Sequence, residues 1–130
     1  MSSRTEKDFL GSKEIPIDAY YGVHTARALD NFNVTGVQIN HFPRFIIAMA
    51  MVKKASVAAN LEFKLLPEQI AGAIVEACDE IIDGKLHEHF VVDLIQGGAG
   101  TSTNMNANEV IANRALEILG HAKGSYKHLH

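Results

Sequence analysis

Three stretches of the chain carry apolar residues at the spacing of an α-helix. The clearest lies between Pro67 and Gly84, where one helical face collects Ile70, Ala73, Ile74, Ala77 and Ile81. A second apolar stripe predicts packing on two sides, and it consists of Val75, Cys78 and Ile82. Proline is tolerated in the first turn of a helix and glycine commonly ends one. Pro67 and Gly84 therefore fit the start and the end of this predicted helix.

Two further helices are predicted, one on each side of this stretch. Residues 43–60 are apolar around most of the helix between Ile46 and Val52, which predicts burial against several neighbours. Residues 104–120 end at Gly120 and present an apolar face made of Ala107, Ile111, Ala115, Ile118 and Leu119. Four asparagines in this last helix conflict with helix propensity, and such conflicts often mark functional surfaces.

The N-terminal third predicts less regular structure. Residues 15–21 contain β-forming side chains, but Pro16 lacks an amide donor, so they predict an edge strand or an extended arm. A short hairpin is predicted around Gly36, flanked by Phe32, Val34 and Ile39. The chain as a whole is predicted to be a small, mainly α-helical domain with a short β element near its N-terminus.

Composition narrows the class of protein. The 130 residues fit one domain, and 47% hydrophobic with 21% charged residues is typical of a globular protein. The net charge of −3 disfavours a nucleic-acid binder that depends on a basic patch. The longest strongly apolar run, 45–52, is far shorter than the roughly 20 residues that cross a bilayer. The first residues lack the apolar core of a secretory signal, so a cytoplasmic, soluble protein is predicted.

Cysteine and histidine give little support for a disulfide or a metal site. Cys78 is the single cysteine, which excludes an internal disulfide and a four-thiolate zinc site, and we interpret it as a small buried apolar residue. The histidines at 87 and 89 flank a glutamate without a third ligand, so neither a metal nor another cofactor is predicted. We expect four other polar residues to have structural roles. His24 packs or forms hydrogen bonds, Arg27 forms a salt bridge, and Lys53 is an ordinary polar helix position. Glu109 interacts favourably with the dipole of its own helix.

A glycine-rich turn precedes the third helix. Three glycines at positions 97, 98 and 100 are followed by the hydroxyls of Thr101, Ser102 and Thr103. The first amides of a helix lack internal partners, and the helix dipole stabilises an anion there by roughly 0.3–1 kcal/mol. No lysine stands between Lys85 and Lys123 for a phosphate loop, and Thr103 replaces the last glycine of a dinucleotide fingerprint. Two interpretations follow: a carboxylate site, or a capped glycine turn without a ligand.

A resemblance to a known family favours the carboxylate site over a glycine turn without a ligand. Residues 98–113 read GAGTSTNMNANEVIAN, which resembles the GxxTSxNMNxNEVxAN block of the aspartase/fumarase superfamily. Residues 18–32, DAYYGVHTARALDNF, and residues 6–16, EKDFLGSKEIP, resemble its N-terminal blocks, so the likeness covers nearly the whole chain. QGGAGTS at 96–102 is closer to the aspartate ammonia-lyases than to the fumarases, which usually carry serine, glycine, threonine and glutamine there. Fumarate hydratase and a non-catalytic helical interaction module remain the alternatives.

The resemblance implies a reaction, a set of site residues and a larger assembly. The reaction is the reversible anti-elimination of ammonia from L-aspartate to give fumarate. By the match, Thr101 donates to a substrate carboxylate, with Ser102 and Asn104 as secondary contacts. The family's serine base and its central helices belong to blocks that do not occur in residues 1–130. We therefore expect these residues to form the N-terminal domain of a homotetrameric lyase, without a catalytic residue of its own and inactive alone.

Overall fold

The computed structural model describes residues 2–130 and is mainly α-helical, as predicted. A β-hairpin comes first, formed by β1 (Ser3–Asp8) and β2 (Gly11–Pro16). Four α-helices follow in this described part of the chain, namely α1 (Val23–Asn31), α2 (Pro43–Glu62), α3 (Glu68–Ile82) and α4 (Thr101–Ile118). Two short 3-10 turns, Ile39–His41 and His87–His89, lie in the connections.

The three predicted helices are confirmed, with shifts at their N-termini. α2 begins at Pro43, whereas Pro67 is the residue before α3 and not part of its first turn. Gly84 and Gly120 adopt left-handed φ values of 94° and 85° beyond the ends of α3 and α4, as expected for helix-ending glycines. α4 begins three residues earlier than predicted, so the hydroxyl residues of the glycine turn belong to its first turn.

The β structure lies earlier in the chain than predicted. β1 and β2 pair in an antiparallel hairpin, and the predicted strand at 15–21 overlaps it only at Ile15 and Pro16. Only Glu6 in β1 and Ile15 in β2 are buried, so both strands are polar along most of their length. A hydrophobic pattern of period two is therefore missing from the sequence, which explains the error.

Two other N-terminal predictions need correction. Residues 32–39 do not form a hairpin; Gln38 makes an isolated antiparallel bridge with Asp93, far along the chain. α1 was not predicted, because its buried residues are mostly small and do not form a strong apolar stripe: Val23, Thr25, Ala26 and Ala28. Its N-terminus is stabilised by distant residues, which are described below.

The main core lies where α2, α3 and α4 meet. Small side chains at Ala50, Ala77 and Ala115 are at most 1% exposed and let the helices approach closely. The segment between α3 and α4 adds Phe90 and Val92, both 1% exposed. Burial raises the pKa of the Cys78 thiol to about 11, which fits its interpretation as a buried apolar residue.

α2 is less buried than its sequence predicted. Ile46, Ala50 and Val57 face the core, but the outer side exposes Phe45, Met51 and Val52 at 46%, 52% and 63%. The predicted burial of α2 on several sides is therefore not observed within residues 2–130. None of the helices in this range is long and apolar enough to span a membrane.

Candidate functional site

The glycine turn presents the first turn of α4 at the protein surface. Gly100 directly precedes α4 and has a φ of 82°, a left-handed conformation that side chains disfavour. Residues 97–100 are all exposed, as is Thr101, while Ser102 is half-buried. The sequence thus folds here into an open loop that leads into an accessible helix N-terminus.

Two amides in this first turn have no acceptor within residues 2–130. The Asn104 amide donates to the Gly100 carbonyl at 3.0 Å, and the Thr103 amide donates to the Gln96 Oε1 atom at 2.9 Å. Neither the Thr101 amide nor the Ser102 amide makes a hydrogen bond in this described range. Two unsatisfied donors therefore stand at the positive end of the helix dipole, beside two hydroxyl groups.

Asn104 lies beside these donors and brings a cation with it. Residues three apart on a helix share a face, so Asn104 lies on the same side as Thr101. The Lys53 Nζ atom of α2 donates to the Asn104 Oδ1 atom at 2.5 Å. The sequence suggested only a polar helix position for Lys53, because the contact joins two residues that are 51 positions apart in the chain.

The arrangement suits a negatively charged ligand. Thr101, Ser102 and Asn104 lie within one helical turn, and the Lys53 ammonium donates to the Asn104 side chain. Neutral donors at a helix N-terminus interact more strongly as negative charge grows on an acceptor, which is the requirement for stabilising an oxyanion. Donors of this kind suit a carboxylate that gains charge during a reaction.

A cavity of about 580 Å³ lies next to Lys53, between α2, α4 and the last residues of the chain. Its polar lining includes Ser56, Asn60 and Asn108, and its apolar lining includes Val57, Ile74, Met105, Ile111 and Leu129. Thr101 and Ser102 do not line it. The cavity and the first turn of α4 are therefore distinct, and Lys53 contacts both.

Two of the four asparagines in α4 hold connecting segments in place. The Asn106 side chain donates to the His89 carbonyl at 2.9 Å and accepts from the Val91 amide at 2.9 Å. Asn113 likewise donates to the Tyr20 carbonyl at 2.7 Å and accepts from the Gly124 amide at 2.8 Å. Both are fully buried, so the conflict with helix propensity is explained partly by scaffolding and not by a ligand site alone.

Glu109 does not serve the dipole of its own helix. Its carboxylate is buried and accepts from the amides of His24 and Thr25 at 3.0 and 2.8 Å, at the start of α1. Burial raises the pKa of this carboxyl above its ordinary value. A second buried carboxylate, Glu6, accepts from the Val23 amide at 3.2 Å, so two glutamates satisfy the first amides of α1.

The remaining polar residues have structural contacts. Arg27 forms a bidentate salt bridge with Asp8, with both nitrogen–oxygen distances at 2.7 Å, which confirms that interpretation. His24 is exposed and contributes its backbone amide to Glu109. His87 bonds to the Ile81 carbonyl at 2.8 Å, and no group of three metal-ligating side chains occurs within residues 2–130.

The sequence is similar to those of known lyases. The sequence model described as lyase matches residues 11–130. An aspartate ammonia-lyase of Pseudomonas aeruginosa is 60% identical over 129 residues, which cover 99% of this chain and 27% of that protein. An aspartate ammonia-lyase of Escherichia coli is 53% identical over 127 residues, which cover 97% of this chain. The chain thus spans about a quarter of the length of these relatives, 27% in both cases.

Solved structures show the same fold. A fumarate lyase:delta crystallin protein from Brucella melitensis is 57% identical with a TM-score of 0.97, over 99% of this chain and 28% of that one. A class II fumarase from Schistosoma mansoni is 34% identical with a TM-score of 0.86, over 95% of this chain and 26% of that one. Because the family match covers most of the described residues, the chain belongs to the lyase family of the aspartase/fumarase superfamily.

Proposed function

We propose that residues 1–130 are the N-terminal domain of an aspartate ammonia-lyase, which converts L-aspartate reversibly to fumarate and ammonia. In this proposal the domain supplies a carboxylate-binding turn to the active site. The observation that carries it is the open first turn of α4, where the Thr101 and Ser102 amides lack acceptors within residues 2–130. The named relatives, at 53–60% identity, support the choice of reaction.

The chemistry explains why such a turn is useful. The proton that is removed lies on the carbon next to the β-carboxylate, and its removal builds a second negative charge on that carboxylate. An enzyme accelerates this step when it binds the doubly charged state more strongly than the substrate. Thr101 would donate to the substrate carboxylate and Ser102 would support it. Asn104 would be a further contact whose orientation is set by Lys53.

The domain needs partners for catalysis in this proposal. The serine base of the family belongs to a block outside these 130 residues, so the domain alone would be inactive. We propose that the full-length enzyme is a cytoplasmic homotetramer. The exposed Phe45, Met51 and Val52 on α2 support burial by another part of such an assembly, since large apolar patches usually mark interaction sites. Sedimentation of the full-length enzyme tests the tetramer.

An assay of the Thr101→Ala variant tests the function and the site together. In the full-length enzyme, we expect the variant to lower kcat/KM for L-aspartate by about 100-fold, the typical effect of one lost oxyanion donor. Fumarate formation is followed by its ultraviolet absorbance. Thr5→Ala is the matched control, because Thr5 carries an exposed hydroxyl on the hairpin that contacts Glu14. An unchanged kcat/KM in Thr101→Ala would remove Thr101 from the site.

Fumarate hydratase is the second candidate. The likeness to the class II fumarase of Schistosoma mansoni favours it, and that reaction develops the same charge on a dicarboxylate with water in place of ammonia. The same assay with L-malate separates the two. Activity on L-aspartate supports the first proposal, and activity on L-malate alone would replace it.

A further inference from the structure

The two ends of the Gln96 side chain join α4 to the segment before the glycine turn. Its Nε2 atom donates to the Asp93 carbonyl at 2.8 Å, and its Oε1 atom accepts from the Thr103 amide at 2.9 Å. Both hydrogen-bonding groups of the amide are therefore used. Gln96 spans the four residues of the turn and fixes the distance between its two sides.

The anchor on the far side is itself rigidly held. Asp93 is 5% exposed, and its carboxylate accepts from the amides of Thr35, Gly36 and Ile95 at 2.9, 2.9 and 2.8 Å. The Thr35 hydroxyl adds a fourth bond at 2.9 Å. A carboxylate with several donors is difficult to displace. The carbonyl that receives Gln96 thus belongs to a fixed element, and the chain of bonds runs from Thr35 to Thr103.

Gln96 performs the capping that the N-cap residue cannot. Side chains at the N-cap usually accept from the second or third amide of a helix, but this position is Gly100, which has no side chain. Gln96 accepts from the third amide, that of Thr103. The first and second amides, of Thr101 and Ser102, have no partner among residues 2–130. A serine or aspartate at position 100 would accept from the second amide and make that amide unavailable to a ligand.

The turn would be mobile without such a clamp. Residues 97–100 are exposed and include three glycines, so the turn gains much conformational entropy when its contacts are lost. Besides Gln96, the Phe32 ring lies against Gly97, within 3.4 Å of the place that a Cβ atom would occupy. Terminal helical turns open at low free energy when few contacts hold them.

We propose that Gln96 is a positioning residue of the active site: it holds the first turn of α4 so that the Thr101 and Ser102 donors stay free and fixed. This inference rests on the proposed function. Gln96 acts through the donors of Thr101 and Ser102 and does not touch the substrate. The placement matters for rate, since a misplacement of about 1 Å can cost 100-fold in catalysis.

The test is a double-mutant cycle in the full-length enzyme. Gln96→Met keeps the size and removes both hydrogen bonds, and we expect kcat to fall by about 10- to 100-fold. In the Thr101→Ala background the same change should lower kcat by a smaller factor, because the Thr101 hydroxyl is gone and fewer donors remain to be positioned. Gln38→Met is the matched control, because the Gln38 side chain is exposed and, in the part of the chain that the structure describes, bonds only to Asn40. An unchanged kcat, or fully additive losses, would overturn the proposal.

Two further measurements separate positioning from general destabilisation. Hydrogen exchange followed by mass spectrometry should show faster exchange of the Thr103 amide in Gln96→Met, with the interior of α4 still protected. Gln96→Glu keeps the acceptor for Thr103, so its kcat should exceed that of Gln96→Met while its KM for the dicarboxylate rises. Equal losses of kcat in both variants would overturn the proposal. If the unmodified full-length enzyme does not act on L-aspartate, the proposed function fails, whereas faster exchange of the Thr103 amide in Gln96→Met still shows that Gln96 holds the turn.

Discussion

Glu109 in α4 holds the start of α1 at Thr25, 84 residues earlier in the chain. The carboxylate accepts from both the Thr25 amide at 2.8 Å and the Thr25 hydroxyl at 2.6 Å. The N-terminus of α4 therefore supplies the proposed site, and the middle of the same helix holds α1 in place. The motif around position 109 is thus needed for the fold as well as for the site.

Replacement of Glu109 by alanine should destabilise the protein. The change removes the acceptor of the His24 and Thr25 amides at the start of α1, of which the Thr25 amide is buried, and hydrogen bonds to a charged group typically contribute about 1.5–3 kcal/mol. The free energy of unfolding, measured by urea denaturation, should fall by that amount. Glu76→Ala is the control, since Glu76 lies exposed on α3 and should have an effect within about 0.5 kcal/mol. Equal effects of the two variants would contradict the capping of α1.

How much could be predicted depends on how local each signal is. α2 and α3 were predicted because their apolar spacing and their flanking proline or glycine residues lie within the same segment. The open turn before α4 was also visible, since glycines and hydroxyls are adjacent there. α1 and its glutamate caps were missed, because Glu6 and Glu109 reach it from two different parts of the chain.

The site was predictable only in part for the same reason. Thr101, Ser102 and Asn104 are adjacent in sequence, so a motif can reveal them together. The Lys53–Asn104 contact and the Asp93 bonds to the Thr35-Gly36 turn join residues 51 and 58 positions apart. Gln96 lies next to the motif, but its capping of Thr103 depends on the path of the glycine turn. Such relations follow from packing and not from spacing.

Asp93 should make stability depend on pH in the acid range. Hydrogen bonds from the Ile95 amide and from Thr35 lower the pKa of this carboxyl from 3.8 to about 2. The folded protein therefore binds this proton more weakly than the unfolded chain. Its contribution to the free energy of unfolding is full above pH 3.8 and is lost as the pH falls through about 2.

Asp93→Asn tests this dependence. The variant should be less stable at neutral pH, and its difference from the unmodified protein should shrink as the pH falls toward 2, because only the aspartate loses stability by protonation. Urea denaturation at a series of pH values measures it. Asp83→Asn, at an exposed position beyond the end of α3, is the control for the substitution itself. A difference that stays constant with pH would refute this assignment.

Gly22 and Gly72 should respond in opposite ways to alanine. A Cβ atom at Gly22 would lie 2.3 Å from the Tyr126 hydroxyl and 2.4 Å from a Glu109 oxygen, so the buried group around the start of α1 would have to move. Overpacking of this kind typically costs about 1–3 kcal/mol. Gly72 lies inside α3, where no atom of the described residues is within 4 Å of such a Cβ, and alanine there should stabilise the helix by about 0.5–1 kcal/mol. Thermal denaturation of both variants measures the contrast. A melting temperature that rises in both would mean that Gly22 is not closely packed, since only the removal of glycine flexibility would then be felt.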